Sequence, residues 1–379
     1  MNIEELRNDI DKIDDEFLNL LMSRLKISGR IALQKKEDNL PVFNPARERD
    51  ILYRMCSESD ESMESFVKIF YNTLFDISRT YQNTLIAQDS ELKGRISKAL
   101  VEGKTSFPSA VTVACQGVEG AYSQIAAEKI FNAAKIMYMH TFEGVFNSVE
   151  QGLCKYGVLP IENSTAGSVT DVYEQMKKYK FYIVRSVKLR INHVLLTKKK
   201  CCLSDINEIF SHEQAINQCG EFLKNNPQIK VTVCENTAAA AEMIAKSERN
   251  DIAAISSKNC AELYGLSVSL EGFQNSDNNY TRFICISKGL EIFNGADKIS
   301  LMMSADNKAG SLYTLITKFS VLDLNLTKLE SRPIAGTDFE FMFYFDVDGS
   351  VEDEKVLSLI CQLEKSMNSF VFLGNYREV

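Results

Sequence analysis

The stretch ELKGRISKALVEGKTSFPSAVTVACQGVEGAYS, residues 91–123, holds the change of pattern that decides the fold. Up to residue 109 it is polar, carries Gly94, Gly103 and Pro108, and reads as a linker. At residue 110 a short apolar run begins, and Gly117 and Gly120 then precede a helical stretch. Upstream of this point apolar residues recur at helical spacing. Downstream, short apolar runs alternate with helical stretches.

Residues 1–90 read as helix. Ile3, Leu6, Ile10, Ile13, Phe17, Leu20 and Leu21 mark one long stripe, opened by Asn2 and Glu5 as a cap and stopped by EDNLP after Lys36. Asn44-Pro45 opens a second helix, and a third runs from about Ser62 past Gln82. One long helix with two shorter ones cannot bury its own stripe, so self-association is expected.

From 110 to 290 the runs VTVAC, IMYM, YGVLPI, FYIV, HVLL, EIF, VTVC, DIAAI and FICIS predict an α/β domain with a mostly parallel sheet. Ligands of such folds sit beyond the carboxyl ends of strands. The polar segments there are QGVEGAYS, PIENSTAGS and SHEQA. From about 297 the order is βαββαβ, a ferredoxin-like α+β module.

At 379 residues the chain has room for two or three domains. A net charge of −8 argues against nucleic acid as the main partner. No apolar run is long enough to cross a bilayer, and the acidic, helical N-terminus is not a signal peptide. Ten scattered cysteines show no zinc-like spacing and fit a reduced, cytoplasmic protein. With three histidines there is no histidine cluster to hold a metal.

The first helix carries Arg7, Arg24 and Lys35. Arg24 and Lys35 share a face, whereas Arg7 lies about 25 Å of rise from Arg24 and points elsewhere. Arg7 and Arg24 could grip one small molecule only if Arg7 came from a second chain. Ser78 and Gln82 share a face of the third helix, and Arg47 and Glu48 open the second. Taken singly, these are residues of a solvated bundle surface.

Taken in order, LRNDIDKIDDEFLNLLMSRLKISGRIALQKK, RERDIL and SRTYQ resemble an AroQ-type chorismate mutase over residues 1–90. The resemblance implies a domain-swapped helical dimer. Arg7 of the partner, Arg24 and Arg47 would bind the substrate's carboxylates with help from Ser78. Lys35 and Gln82 would bond the ether oxygen, and Glu48 the ring hydroxyl. Asn44 stands where that family usually has Asp. An amide still caps a helix and still accepts from a hydroxyl, but a reduced mutase rate is one expectation.

QGVEGAYS, LPIENSTAG, SHEQAINQC, TAAAAEMIA, LYGL and NYTRFICI follow the order found in prephenate dehydratase, over about 110–290. That family has two lobes about a cleft, like a periplasmic binding protein. The second lobe here is expected at about 189–267. Thr281 would donate a proton to the departing hydroxyl, with Arg282 and neighbouring hydroxyls as candidate helpers, and Arg282 and Phe283 of the signature would also bind the substrate. Asn163, Ser164, Thr165, the amides near Ser123, and His212 would position the substrate.

Residues 297–379 resemble an ACT domain. NKAGSLYTLI and LTKLESRPIAG imply a phenylalanine site at Ala309, Gly310, Ser311, Leu312, Glu330, Ser331 and Arg332, with Ser311 where the family usually has Ala. The whole resembles the bifunctional chorismate mutase–prephenate dehydratases (P-proteins). This implies chorismate and prephenate as substrates, feedback by L-phenylalanine, no cofactor, and a homodimer that the ACT module could pair into tetramers. Arogenate dehydratase activity, and a phenylalanine-binding regulator on inactive catalytic folds, are the rival readings.

Overall fold

The computed structural model describes residues 2–86, 90–103, 106–305, 310–334 and 341–379. The chain divides into two compact units, one of residues 1–98 and 299–372, the other of 99–298 and 373–379.

In the first unit, α1 (Ile3–Glu37) starts at a capping box of Asn2 and Glu5, with Lys35 and Lys36 in its last turn, where cations suit the helix dipole. α2 (Pro45–Ser57) is capped by the Asn44 side chain, which accepts the Arg47 amide. α3 (Glu64–Leu85) packs on both. Gly29 permits the close approach of α1 to α3: a Cβ there would stand 2.8 Å from Leu85 and 3.2 Å from Tyr81. Only Ser28, Gly29 and Ala32 of α1 are buried. Ile3, Leu6, Ile10, Ile13 and Leu20 lie exposed, so these residues of the stripe have little cover from the described residues of the chain.

The segment read as a linker is largely helix, α4 (Glu91–Glu102). Leu92, Ile96 and Ala99 recur at helical spacing and are buried, which outweighs Gly94.

The second unit holds two sheets. Its elements are β1 (Ala110–Gln116), α5 (Tyr122–Ile130), β2 (Ala133–Met139), α6 (Phe142–Glu150), β3 (Tyr156–Asn163), β4 (Gly167–Ser168), α7 (Thr170–Tyr179) and β5 (Tyr182–Arg190). There follow β6 (His193–Thr197), β7 (Glu208–Ser211), α8 (Glu213–Gln218), α9 (Gly220–Lys224), β8 (Lys230–Val233), α10 (Thr237–Lys246), β9 (Ile252–Ser257), α11 (Asn259–Tyr264), β10 (Ser267–Leu270) and β11 (Tyr280–Ser287). The first sheet runs β5-β11-β3-β1-β2 and the second β10-β6-β9-β7-β8.

The chain leaves the first sheet after Arg190 and returns at Tyr280, so the second lobe spans β6 to β10, slightly later than 189–267. The return strand decides the sheet type. β1 is parallel to β2 and β3, but β11 inserts antiparallel to both β3 and β5. The first sheet is therefore mixed rather than mostly parallel, because β11 re-enters from the other lobe, and the second is mixed because β6 runs antiparallel to β9 and β10 while β7 runs parallel to β8 and β9. The β11–β3 register shifts between Arg282 and Phe283, where the facing residue is Pro160, which has no amide to donate.

The rest of the chain forms β12 (Lys298–Ala305), α12 (Ser311–Ser320), β13 (Leu326–Pro333), β14 (Phe341–Asp348), α13 (Glu354–Ser366) and β15 (Phe370–Glu378). β14 lies between β13 and β12, and α12 and α13 pack against α3. Among the described residues, no helix is long and apolar enough to cross a membrane.

Candidate functional site

Two groups of polar side chains stand out. The first lies on α1–α3. Arg24 Nη1 donates to Ser78 Oγ at 2.7 Å, and the Ser78 and Ser28 hydroxyls are 3.2 Å apart. Lys35 Nζ donates to the Val42 carbonyl at 2.6 Å, pinning the loop that leads into α2. Burial lowers the pKa of both Arg24 and Lys35, and the Glu48 carboxylate opposes this in each. Gln82 is buried, and its Oε1 has no hydrogen-bond partner among the described residues. Arg24, Lys35, Glu48, Ser78 and Gln82 thus present two cations, an acid, a hydroxyl and an amide.

Three of the expected residues behave differently. Asn44 spends its Oδ1 on the Arg47 amide at 3.1 Å. Arg47 itself is exposed. Arg7 sits on the uncovered half of α1, so one chain does not bring it to Arg24. The sequence reading passed over Arg79, which bonds both Glu48 and Asp76 and lies over the Phe43 ring at 5.2 Å. Its signal was the spacing Asp76–Arg79, three residues apart on one helix.

The second group gathers around Asn163 at the end of β3. Asn163 Nδ2 donates to Thr281 Oγ1 at 2.9 Å and to Asn279 Oδ1 at 2.8 Å. Its Oδ1 accepts from Thr165 N, Thr165 Oγ1 and Ala166 N at 3.0, 2.7 and 2.9 Å. Three donors on one oxygen fix the amide's orientation, so the nitrogen must face Thr281. Thr281 and Asn163 are directly opposed across the β11–β3 ladder, which places them on one face.

The other lobe reaches this group through Gln218 at the end of α8. Gln218 Nε2 donates to Thr165 Oγ1 at 2.9 Å, and its Oε1 accepts from Asn279 Nδ2 at 2.9 Å. The same oxygen is 3.0 Å from His193 Nε2. Burial lowers the His193 pKa, opposed by that contact. Gln218 and Asn279 were not picked from sequence, although both lie in quoted motifs; Asn279, an amide that is 1% exposed, is the stronger signal in hindsight. A cleft of about 550 Å³ opens beside them, lined by Thr165, Ala166 and Asn279 on one side and His212, Gln214 and Gln218 on the other.

His212 lines this cleft but also caps α8, its Nδ1 accepting the Gln214 amide at 3.3 Å, and burial lowers its pKa. Ser164 ties the loop to the returning strand, donating to Asn278 O and accepting from Tyr280 N, both at 2.9 Å. Ser123 is buried in the first turn of α5. Two expectations are corrected. Arg282 opposes Glu162, pairs with it at 2.9 Å, and projects from the face opposite Thr281, so it does not assist that hydroxyl. Phe283 is a core residue packed with Val187 and Leu189, not a cleft residue.

Of the residues expected to hold an effector, Gly310 stands at φ +86° ahead of α12, with Ser311 and Leu312 in the first turn. Ala309 lies outside the described residues. Glu330 accepts from Arg332 at 2.6 Å on the half-buried face of β13, while the pleat sends Ser331 to the exposed face.

Comparison with known proteins matches residues 6–83 to the chorismate mutase type II family and 113–290 to the prephenate dehydratase family. The chain is 31% identical over 381 residues to the bifunctional chorismate mutase/prephenate dehydratase of Escherichia coli K12, covering 98% of this chain and 95% of that protein. It is 34% identical over 304 residues to arogenate dehydratase/prephenate dehydratase 2 of Arabidopsis thaliana, covering 77% and 79%. Among solved structures, prephenate dehydratase of Arthrobacter aurescens in complex with L-Phe aligns with a TM-score of 0.64 at 27% identity, covering 70% of this chain and 90% of that one. With near full-length similarity and both domains matched in order, the chain belongs to the bifunctional chorismate mutase/prephenate dehydratase family.

Proposed function

We propose that residues 1–90 convert chorismate to prephenate, that 110–290 convert prephenate to phenylpyruvate, and that 297–379 form a ferredoxin-like ACT module through which L-phenylalanine regulates the enzyme. The observation that carries this reading is the Thr281–Asn163 pair at the edge of an interlobe cleft, in a chain whose packed helices α1 and α3 also carry Arg24, Lys35 and Gln82.

The first reaction is pericyclic. It needs no nucleophile and no proton transfer, only a dianion held in a compact conformer with donors at the oxygen gaining charge. Arg24 supplies a carboxylate partner, and Lys35 and the Gln82 amide supply donors for the ether oxygen. Partial burial lowers the basicity of both Arg24 and Lys35. Arg7 completes the site from a second chain, whose packing would also cover the exposed stripe of α1.

In the second reaction the ring C–O bond breaks and hydroxide leaves as water with a proton. The carboxylate's C–C bond breaks, CO2 departs, and that electron pair completes the aromatic ring. Thr281 Oγ accepts from Asn163 Nδ2, so its own proton is directed outward to the leaving hydroxyl. As that proton moves, the amide stabilises the growing alkoxide charge. Gln218 and Asn279 hold Asn163 and Thr165 in register from the opposite lobe.

The test is a product assay on the purified chain given chorismate alone, with and without L-phenylalanine. Phenylpyruvate is expected, and it should fall with L-phenylalanine. Turnover of arogenate but not prephenate would favour the activity named for the Arabidopsis relative. No turnover of either would sink the dehydratase reading.

A further inference from the structure

The hydrogen bonds around Asn163 have a direction that runs outward from the backbone. Asn163 Oδ1 accepts from the Thr165 and Ala166 amides, so its Nδ2 is a donor and meets Asn279 Oδ1. Asn279 Nδ2 is then the atom that donates to Gln218 Oε1. The Thr165 hydroxyl fixes the same glutamine independently. It spends its proton on Asn163 Oδ1, so only an N–H can meet its oxygen, and Gln218 Nε2 does. Gln218 Oε1 is therefore an acceptor, and His193 Nε2, 3.0 Å from it, must carry a proton.

His193 is placed for this contact. It is the first residue of β6, where the chain has just crossed into the second lobe, and it is 2% exposed. The Tyr122 ring meets it edge to face at 6.2 Å, and the Tyr122 hydroxyl donates to the adjoining Asn192 carbonyl at 2.9 Å. Its Nδ1 is buried without a hydrogen-bond partner among the described residues. An apolar side chain would fill the same place without leaving a buried nitrogen bare, so what the imidazole adds is the single donor aimed at Gln218. The ring does not line the cleft, so it reaches the chemistry only through that glutamine.

We propose that His193 is a positioning residue of the dehydratase step: its Nε2–H fixes the Gln218 amide, which holds Thr165, Asn163 and Asn279 and so sets where the Thr281 proton points. This rests on the dehydratase reading of the cleft. Without that donor, Gln218 Oε1 keeps only Asn279, and the amide is free to turn from Thr165. Asn163 still has its two backbone donors, so the loss is partial, about tenfold in dehydratase kcat with a smaller change in KM.

The experiment uses the full chain with prephenate supplied directly. His193→Leu removes the donor, with His193→Phe in reserve should that variant not fold, and His193→Gln puts an N–H back within reach of Gln218. The tenfold loss is expected in His193→Leu, most of it recovered in His193→Gln, with prephenate formation from chorismate unchanged in both. In a Gln218→Ala background, His193→Leu should cost nothing further. An unchanged kcat in His193→Leu, no recovery in His193→Gln, losses that multiply in the double variant, or equal losses of both activities would overturn the proposal. The ring is also read without turnover, in ¹⁵N spectra of the labelled chain with His193 assigned by its loss in His193→Leu. A protonated Nε2 supports the proposal and a bare Nε2 overturns it. Turnover of neither prephenate nor arogenate by the unsubstituted chain would overturn the dehydratase reading and this proposal with it, whereas the other adverse outcomes overturn this proposal alone.

Discussion

The helical site and the interlobe cleft solve the problem of placing polar groups in opposite ways. In the cleft, short side chains on strand ends and tight loops bond one another: Asn163 alone links Thr281, Asn279, Thr165 and Ala166. Little is left to move before a substrate arrives. On α1–α3 the groups are long cations and an amide, some half-exposed, with Arg7 out of reach in the single chain. Preorganisation in the cleft comes from one fold, whereas at the helical site the proposed function requires a second chain to complete it. Effects of substitution should therefore be local in the first and shared between chains in the second.

The largest expected effect tests the cleft. Thr281→Ala removes the proton donor but leaves Asn163 held by its other partners, so dehydratase kcat should fall about 100- to 10,000-fold. Prephenate formation should be unchanged. With chorismate as substrate, prephenate would then accumulate, followed directly by chromatography. A loss of both activities would break the comparison, since it would make the cleft's chemistry non-local.

Next comes the helical site. Arg24→Ala and Arg7→Ala should each lower mutase kcat/KM about 100-fold or more. Mixing the two variants and allowing exchange should restore roughly a quarter of the wild-type rate, because about half of random dimers are mixed and each has one intact site. If mixing restores nothing while exchange is confirmed by mass labelling, the site does not span two chains.

What could be read from the sequence follows from which interactions are local. Helix period, the Asn2 and Asn44 caps, and the shared faces of Ser78 and Gln82 depend on residues three or four apart, and the structure has them. Strand positions were legible too. Strand direction was not, because a buried run such as FICIS looks the same whether its neighbours are parallel or antiparallel. β11 is antiparallel only because it returns after a whole lobe. In the α4 segment Gly94, Gly103 and Pro108 signal a linker, but the buried Leu92, Ile96 and Ala99 at helical spacing outweigh them. Arg282 was avoidable: alternation along a strand already puts it across the sheet from Thr281. Gln218 and Asn279 meet only when the lobes are assembled, which no local pattern reports.

The two regions also differ in how they treat buried charge. Arg282 in the cleft domain is paired with Glu162, whereas the buried Lys318 in the first unit has as its nearby charges Arg79 and Asp76, which are bonded to each other. Burial, then the repulsion of Arg79, lowers the Lys318 pKa from 10.5 to about 8, with Asp76 opposing. A base held below its unfolded value destabilises the fold while it is protonated. That cost is full below pH 8, shrinks as pH rises through 8, and is gone above 10.5. Lys318→Met should therefore stabilise the protein at pH 7 by about 1–3 kcal/mol. The advantage should fade toward pH 10.5, as read by urea unfolding of both proteins across that range. A variant less stable at every pH would show that the ammonium is satisfied after all.

The smallest expected effect is at Asn44. Its Oδ1 caps α2 through the Arg47 amide, and an aspartate would make the same bond. Asn44→Asp adds a negative charge at a helix N-terminus, worth about 0.3–1 kcal/mol of stability. Any change in mutase rate beyond that must come from substrate contact, because the cap geometry is kept. A several-fold gain in kcat with KM unchanged would mean that the side chain meets the substrate and that the amide limits this protein. An unchanged rate with a slightly raised Tm would mean that Asn44 is a cap and nothing more, and the helical site would then be defined by Arg24, Lys35, Glu48, Ser78 and Gln82 with the partner's arginine.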